Sequence, residues 1–218
     1  MHAKFTRLDE RLYNYVVESC TPLAHLEREL IEETEALGTI SMMQVAPDQA
    51  TLLSLLVRIS GAHRAVEIGT FTGLSALAIA RSLPTDGHLL CCDLSPEWGA
   101  IARRYWDRAG VSSKITLAIG PAVETLERLP ADEAIEFAFI DADKESYGDY
   151  YDAILTRMPT GGLIVADNVL WGGSVADPSA HDSSTDAIRA FNAKVVSDQR
   201  VEVVMLPVSD GVSLIRKR

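Results

Sequence analysis

Cysteine is scarce in this sequence: Cys20, Cys91 and Cys92 are the three present in 218 residues. None belongs to a C-x-x-C pair, which argues against a disulfide framework and against the common zinc spacings. Cys91 and Cys92 are adjacent in the apolar run His88-Leu89-Leu90-Cys91-Cys92 and read as core thiols of a buried strand. Positive charge is also short. Twenty Lys and Arg stand against 31 Asp and Glu, a formal net charge of −11. That balance argues against a duplex nucleic-acid binder, which needs a basic face, and against docking on an anionic membrane surface. No apolar run is long enough to span a bilayer, and the stretch Met1 to Arg7 has no apolar leader segment. A cytoplasmic location is the expectation. His2, His25, His63, His88 and His181 show no H-x-H or H-E-x-x-H spacing, so no histidine metal site is read.

What is present suits one globular domain, 1–218, in which a helical cap (1–61) precedes an α/β core (62–218). In the cap, Thr21-Pro22 reads as a helix start, with Leu23, Leu26 and Leu30 on one face and Gly38 as the stop. A second helix follows Pro47, with Leu52, Leu53, Leu56 and Ile59 inward and Gly61 at its end. From Arg64 the rhythm changes. Apolar runs at 65–69, 88–93, 115–119, 135–141 and 162–167 alternate with helical stretches at 73–83, 96–109, 121–129 and 146–157. Such alternation predicts parallel βαβ units in a Rossmann-like, doubly wound sheet. Two last strands, 201–207 and 211–216, flank the turn Val208-Ser209-Asp210-Gly211 and predict an antiparallel hairpin that completes seven strands.

In such sheets ligands bind outside the carboxyl ends of the strands, at the point where strand order reverses. Here acids gather at those ends: Glu67 before Gly69, Asp93, Asp141-Ala142-Asp143-Lys144, and Asp167-Asn168. The first turn, Glu67-Ile68-Gly69-Thr70-Phe71-Thr72-Gly73, lacks the G-x-G-x-x-G spacing that seats a pyrophosphate, and Glu67 would repel one. Asp93 stands where an acid accepts from ribose hydroxyls. A nucleoside that carries an amino acid and no phosphate satisfies both conditions, and S-adenosylmethionine is such a molecule.

These residues resemble the cation-dependent, catechol and caffeoyl-coenzyme A type S-adenosylmethionine O-methyltransferases, in particular the smaller bacterial members that act on small phenols. The resemblance runs from about Ser41 to the C-terminus. It rests on 66–73, Gly120-Pro121-Ala122, 139–144, Asp167-Asn168-Val169-Leu170-Trp171-Gly172-Gly173 and 206–211. It implies that Val45, Glu67, Gly69, Thr70, Ser75, Asp93, Ala122 and Asp141 line the cofactor. It further implies that Asp141, Asp167 and Asn168 hold a divalent metal, Mg²⁺ before Ca²⁺ or Mn²⁺, and that Lys144 is the general base. Met43 and Trp171 are read as substrate-facing, and His181 as a residue of the mouth. Trp98 is read as bordering the adenine and Trp106 as core. A homodimer built through the N-terminal helices is expected.

The chemistry supports that assignment. Two carboxylates and an amide oxygen are hard donors suited to such cations and leave room for two adjacent substrate oxygens, as in a catechol. A lysine acts as a base only when neutral, a state that burial and a nearby cation favour. An NAD-dependent dehydrogenase is disfavoured by the missing glycine spacing, and a non-catalytic module by the intact acid cluster with its lysine. A coenzyme A thioester substrate is disfavoured because the loop 174–182 carries no Lys or Arg.

Overall fold

An apolar strand with no polar face needs cover on both sides, and that requirement organises the fold. The computed structural model describes residues 6–218, so most of the stretch Met1 to Arg7, and His2 with it, lie outside the described residues. Seven strands form one sheet: β1 (Arg64–Ile68), β2 (His88–Asp93), β3 (Ile115–Ile119), β4 (Phe137–Ile140), β5 (Leu163–Ala166), β6 (Val201–Leu206) and β7 (Val212–Lys217). Their order is β3-β2-β1-β4-β5-β7-β6. β1 to β5 are parallel, and β7 pairs antiparallel with both β5 and β6. The expected hairpin is therefore present, with β7 inserted inside β6.

Successive strand residues face different cores although both are apolar. Ala65, Leu89, Cys91, Phe137, Phe139 and Val165 join one core, with α3 (Pro47–Ser60), α4 (Leu74–Ser82) and α5 (Pro96–Arg108). Val66, Ile68, Leu90, Ala138, Ile140 and Ile164 join the other, with α6 (Ala122–Glu127), α7 (Tyr147–Arg157) and α8 (Ser183–Ser197). The N-terminal helices α1 (Glu10–Glu18) and α2 (His25–Glu35) precede α3. Ion pairs of Arg81 with Glu27, Arg104 with Glu33 and Arg108 with Glu29 tie α2 to α4 and α5.

Local signals were obeyed where they sat at true helix ends. Ser95 accepts from the Trp98 N–H ahead of α5, and Gly61 closes α3 with φ +66°. Four readings differ. Thr21-Pro22 is not the start of α2, which begins at His25 after Ala24. α2 ends at Glu35, and Gly38 opens a short 3₁₀ segment, Gly38–Met43, rather than stopping the helix. Ile59 is exposed at 79% because the last turn of α3 projects beyond the core. α8 was not anticipated, although Asp182 caps it at the Thr185 N–H and Ile188, Phe191 and Val195 line its buried face.

The order of strands reverses between β1 and β4, and there the chain passes itself closely. Gly69, after β1, has φ +85°, and a Cβ on it would meet the Asp141 carbonyl oxygen at 1.8 Å. Gly69→Ala is expected to destabilise the protein by about 3 kcal/mol or more, because backbone must move. Gly61→Ala, at a similar φ but with no atom within 4 Å of the added carbon, should cost about 1 kcal/mol. Urea denaturation of the two variants checks the difference, and equal costs would refute the close-approach account.

Candidate active site at the strand switch point

A cavity of about 980 Å³ opens over the carboxyl ends of β1, β2, β4 and β5. All of the sequence-predicted residues line it except Glu67, which lies beneath the lining, and His181, which is elsewhere. Val45, Met43, Gly69, Thr70, Ser75, Asp93, Ala122, Asp141, Lys144, Asp167, Asn168 and Trp171 are thus brought together from a span of more than half the chain. His181 pairs with Asp186 at 3.4 Å on the exposed side of α8, so the reading of it as a mouth residue is not met. Trp98 lines the cavity with its indole edge-on to Phe71 at 4.8 Å, while Trp106 is buried in the core and donates to the Gly73 carbonyl.

At one end of the cavity the turn after β1 is held by an acid. Asp93 accepts from the Thr70 and Phe71 N–H groups through Oδ2 (2.9 and 2.7 Å) and from the Ser95 N–H through Oδ1 (2.8 Å). Oδ1 keeps acceptor capacity toward the cavity. Below it, Glu67 is fully buried among Thr70, Ser75 and Cys91, and neither of its oxygens has a partner within hydrogen-bond distance. Burial pushes its carboxyl up to about 8, with the nearby Asp93 charge adding to the rise. Burial likewise holds the Cys91 and Cys92 thiols in the neutral form, as befits core residues.

At the other end, β4 and β5 deliver Asp141 and Asp167-Asn168 to one point. Asn168 adopts φ +53°, a conformation asparagine tolerates, and its N–H donates to Asp167 Oδ1 at 2.7 Å. Lys144, 9% exposed, sits between them. Its ammonium donates to Asp141 Oδ1 (3.0 Å), Asn168 Oδ1 (2.6 Å) and the Tyr147 hydroxyl (2.8 Å), so all three N–H bonds are used. Tyr147, fully buried, in turn donates to the Asp167 carbonyl at 3.1 Å. Burial raises the pKa of both Asp141 and Asp167, the charge of Asp141 raises Asp167 further, and Lys144 opposes the rise. One half-buried acid, Asp141, holds the cation directly, and the buried Asp167 lies close enough to feel its charge. Trp171, at φ +47°, closes this end with its ring centroid 5.6 Å from the Lys144 nitrogen.

Among the described residues no three His, Cys, Asp or Glu side chains converge as a metal group. The cluster consists instead of two carboxylates and an amide, and its donor chemistry fits a hard divalent cation. The unpartnered Glu67 oxygens fit a ligand that brings donors or positive charge.

The structure adds residues that the sequence did not single out. Asp143, given no role from the sequence, lines the cavity and accepts from the Tyr150 hydroxyl. Gln49, from α3, also lines it. Arg189 of α8 donates to the carbonyls of Ser174, Val175, Asp177 and Ala180, and so pins the loop after Trp171. The signal for Arg189 was α8 itself, which was not read.

This fold, five parallel strands with the antiparallel β7 between β5 and β6, is shared with solved O-methyltransferases. The Bacillus cereus O-methyltransferase, solved in complex with SAH, superposes with a TM-score of 0.88 at 28% identity, covering 95% of this chain and 97% of that one. The family model described as O-methyltransferase matches residues 18–218, and the chain belongs to that family. A probable caffeoyl-CoA O-methyltransferase 1 of Dictyostelium discoideum is 38% identical over 210 residues, 94% of this chain and 91% of that protein. Tricin synthase 2 of Oryza sativa subsp. japonica is 39% identical over 221 residues, 95% of this chain and 75% of that protein.

Glu67 gives a pH signature to the ligand-free protein. Between pH 4.5, its ordinary value, and about 8 the unfolded chain ionises this carboxyl while the folded chain keeps it neutral. The unfolded state then binds fewer protons, so this group makes stability fall as pH rises, by about 1.4 kcal/mol per unit within the window. Urea denaturation at pH 5, 6 and 7 should show that Glu67→Gln removes this slope. Parallel profiles for the two proteins would contradict the assignment.

Proposed function

We propose that this chain, one domain in which the cap 1–61 covers a core 62–218, transfers a methyl group from S-adenosylmethionine to an oxygen of a vicinal-dihydroxy aromatic with a divalent cation. The convergence of Asp141, Asp167 and Asn168 around Lys144 carries this reading. The methyl donor would lie along Val45, Gly69, Thr70, Ser75 and Ala122, with its ribose at Asp93 and its charged portion over Glu67. The family membership and the SAH-bound Bacillus cereus structure support the donor.

Asp141, Asp167 and Asn168 would hold the cation, which when bound supplies Lewis acidity that favours ionisation of a neighbouring hydroxyl. Lys144, after giving up one ammonium proton to solvent, would take the hydroxyl proton at Nζ as a neutral amine. Oxygen forms its bond to the methyl carbon as the carbon–sulfur bond breaks, and the electron pair stays on sulfur, which becomes neutral. Trp171 and Met43 bound the aromatic and fix its approach, so positioning supplies much of the rate. Tyr147 holds Lys144 in place throughout.

The named relatives favour a second reading in which the aromatic is a coenzyme A thioester. A caffeoyl group is itself a vicinal diol, so the acceptor chemistry is shared. The tail is not: the charged residues lining the cavity are five aspartates and the single lysine Lys144, a poor reception for phosphates. The free small phenol is therefore preferred. Leu37, Leu55 and Ile59, exposed on the N-terminal segment, support a homodimer. No helix of the described residues is long and apolar enough to cross a membrane, and a cytoplasmic enzyme is the reading we adopt.

A methyl-transfer screen of catechols, dihydroxycinnamates, aminobenzoates and their coenzyme A esters tests this. Turnover should require Mg²⁺, vanish with EDTA and favour vicinal diols over monohydric phenols. Lys144→Met should lower kcat by about 10²–10⁴-fold. EDTA-resistant turnover would overturn the cation, and a strong preference for caffeoyl-coenzyme A over free caffeate would establish the second reading.

A further inference from the structure

The turn between β6 and β7 reaches the cavity, where Ser209 and Asp210 form part of the wall. It gets there by prolonging the pairing of β5 with β7, which ends at Ala166 and Ser213. Beyond that pair the Val169 N–H donates to the Gly211 carbonyl (3.1 Å) and the Leu170 N–H to the Asp210 carbonyl (3.0 Å). Gly211, at φ +87°, permits the approach, since a Cβ there would stand 2.4 Å from Leu170 Cγ. The next bond comes from a side chain: Asp210 Oδ1 accepts the Gly172 N–H at 2.7 Å.

These contacts hold a segment whose own preferences would not keep it in place. Trp171, Gly172 and Gly173 have φ of +47°, +60° and +88°, three left-handed residues in succession with the bulkiest first. Such a conformation persists where its surroundings fix it. Arg189 grips the far side through the carbonyls of Ser174 (2.7 Å) and Val175 (3.1 Å). Among the described residues, Asp210 supplies the side-chain hydrogen bond to the left-handed segment itself. We propose that Asp210 is a positioning residue for the acceptor: its carboxylate fixes the turn at Gly172 and so holds the Trp171 ring against the aromatic to be methylated. This inference rests on the functional reading above, in which Trp171 bounds the acceptor.

Two variants separate this role from an effect of charge. Asp210→Ala removes the acceptor, whereas Asp210→Asn keeps an Oδ1 that can take the Gly172 N–H. Hydrogen exchange of the ligand-free full chain, read by mass spectrometry over peptides spanning 169–176, reports the clamp. KM for a catechol, with Mg²⁺ and S-adenosylmethionine, reports its consequence, and SAH calorimetry reports the rest of the cavity. Asp210→Ala should exchange about 10-fold faster in that segment, as loss of a hydrogen bond to a charged acceptor implies. Its KM for the catechol should rise by up to the same factor, because the clamped arrangement is the one that binds, while SAH affinity stays unchanged. Asp210→Asn should stay near wild type in all three. Unchanged exchange in Asp210→Ala overturns the proposal and leaves the functional reading intact. So does an Asp210→Asn whose KM rises with that of Asp210→Ala while its exchange matches wild type, which would make the carboxylate a direct substrate contact. A parallel loss of SAH affinity in Asp210→Ala also overturns it, by making Asp210 a scaffold residue. Absence of catechol turnover by wild type overturns the functional reading, and this role with it.

Discussion

Two like-charged carboxylates, Asp141 and Asp167, lie at the ends of neighbouring strands with one ammonium between them, and most of the cavity is arranged around that fact. Burial disfavours the ionised form of both, and the charge of Asp141 raises Asp167 further. Lys144 offsets one charge by donating to Asp141, to Asn168 and to Tyr147. The second charge is unmatched. On the proposed reading, Asp141, Asp167 and Asn168 would hold a divalent ion, which would supply the positive charge the lysine alone does not.

The constraint reaches into the fold. Because β1 and β4 are adjacent, Gly69 must pass within contact of the Asp141 backbone, and only a residue without Cβ fits. The same turn presents Thr70 and Phe71 N–H groups to Asp93, which fixes the wall of the cavity beside Glu67. Burial disfavours the ionised form of Glu67 in the ligand-free chain, and a cationic ligand would favour it. Acids thus serve both ends of the cavity, and a positively charged methyl donor and a divalent cation are what such a cavity can accept together.

Much of this was legible in the sequence because strand ends are marked twice, by the end of an apolar run and by the polar residue that follows it. The acids at 67, 93, 141 and 167, the asparagine at 168 and the final hairpin were all placed in this way. What could not be read depended on tertiary packing. Gln49 lies on a helix whose polar positions look like solvent positions, and only the docking of α3 over the switch point buries it. Asp143 alternates with cluster residues, and the turn after β4 carries it to the cavity wall, where it accepts from Tyr150. Thr21-Pro22 has the composition of a helix start, but the chain stays extended until Ala24 and α2 begins at His25. α8 was hidden because the polar run from Asp177 to Thr185 looks like a continuing loop, and its cap, Asp182, falls inside that run. Ile59 is apolar on the inward stripe of α3, but the helix outruns the core it covers.

The central claim is that the Asp141, Asp167 and Asn168 cluster binds a divalent cation and through it a vicinal diol. Visible spectroscopy of 4-nitrocatechol tests it without turnover. With Mg²⁺ and SAH present, the protein should bind the chromophore as its ionised form and shift its absorbance to the red. 4-Nitrophenol should not respond, and neither EDTA-treated enzyme nor Asp141→Asn should shift the catechol. A red shift that survives EDTA, or one given equally by the monohydric phenol, would contradict the account.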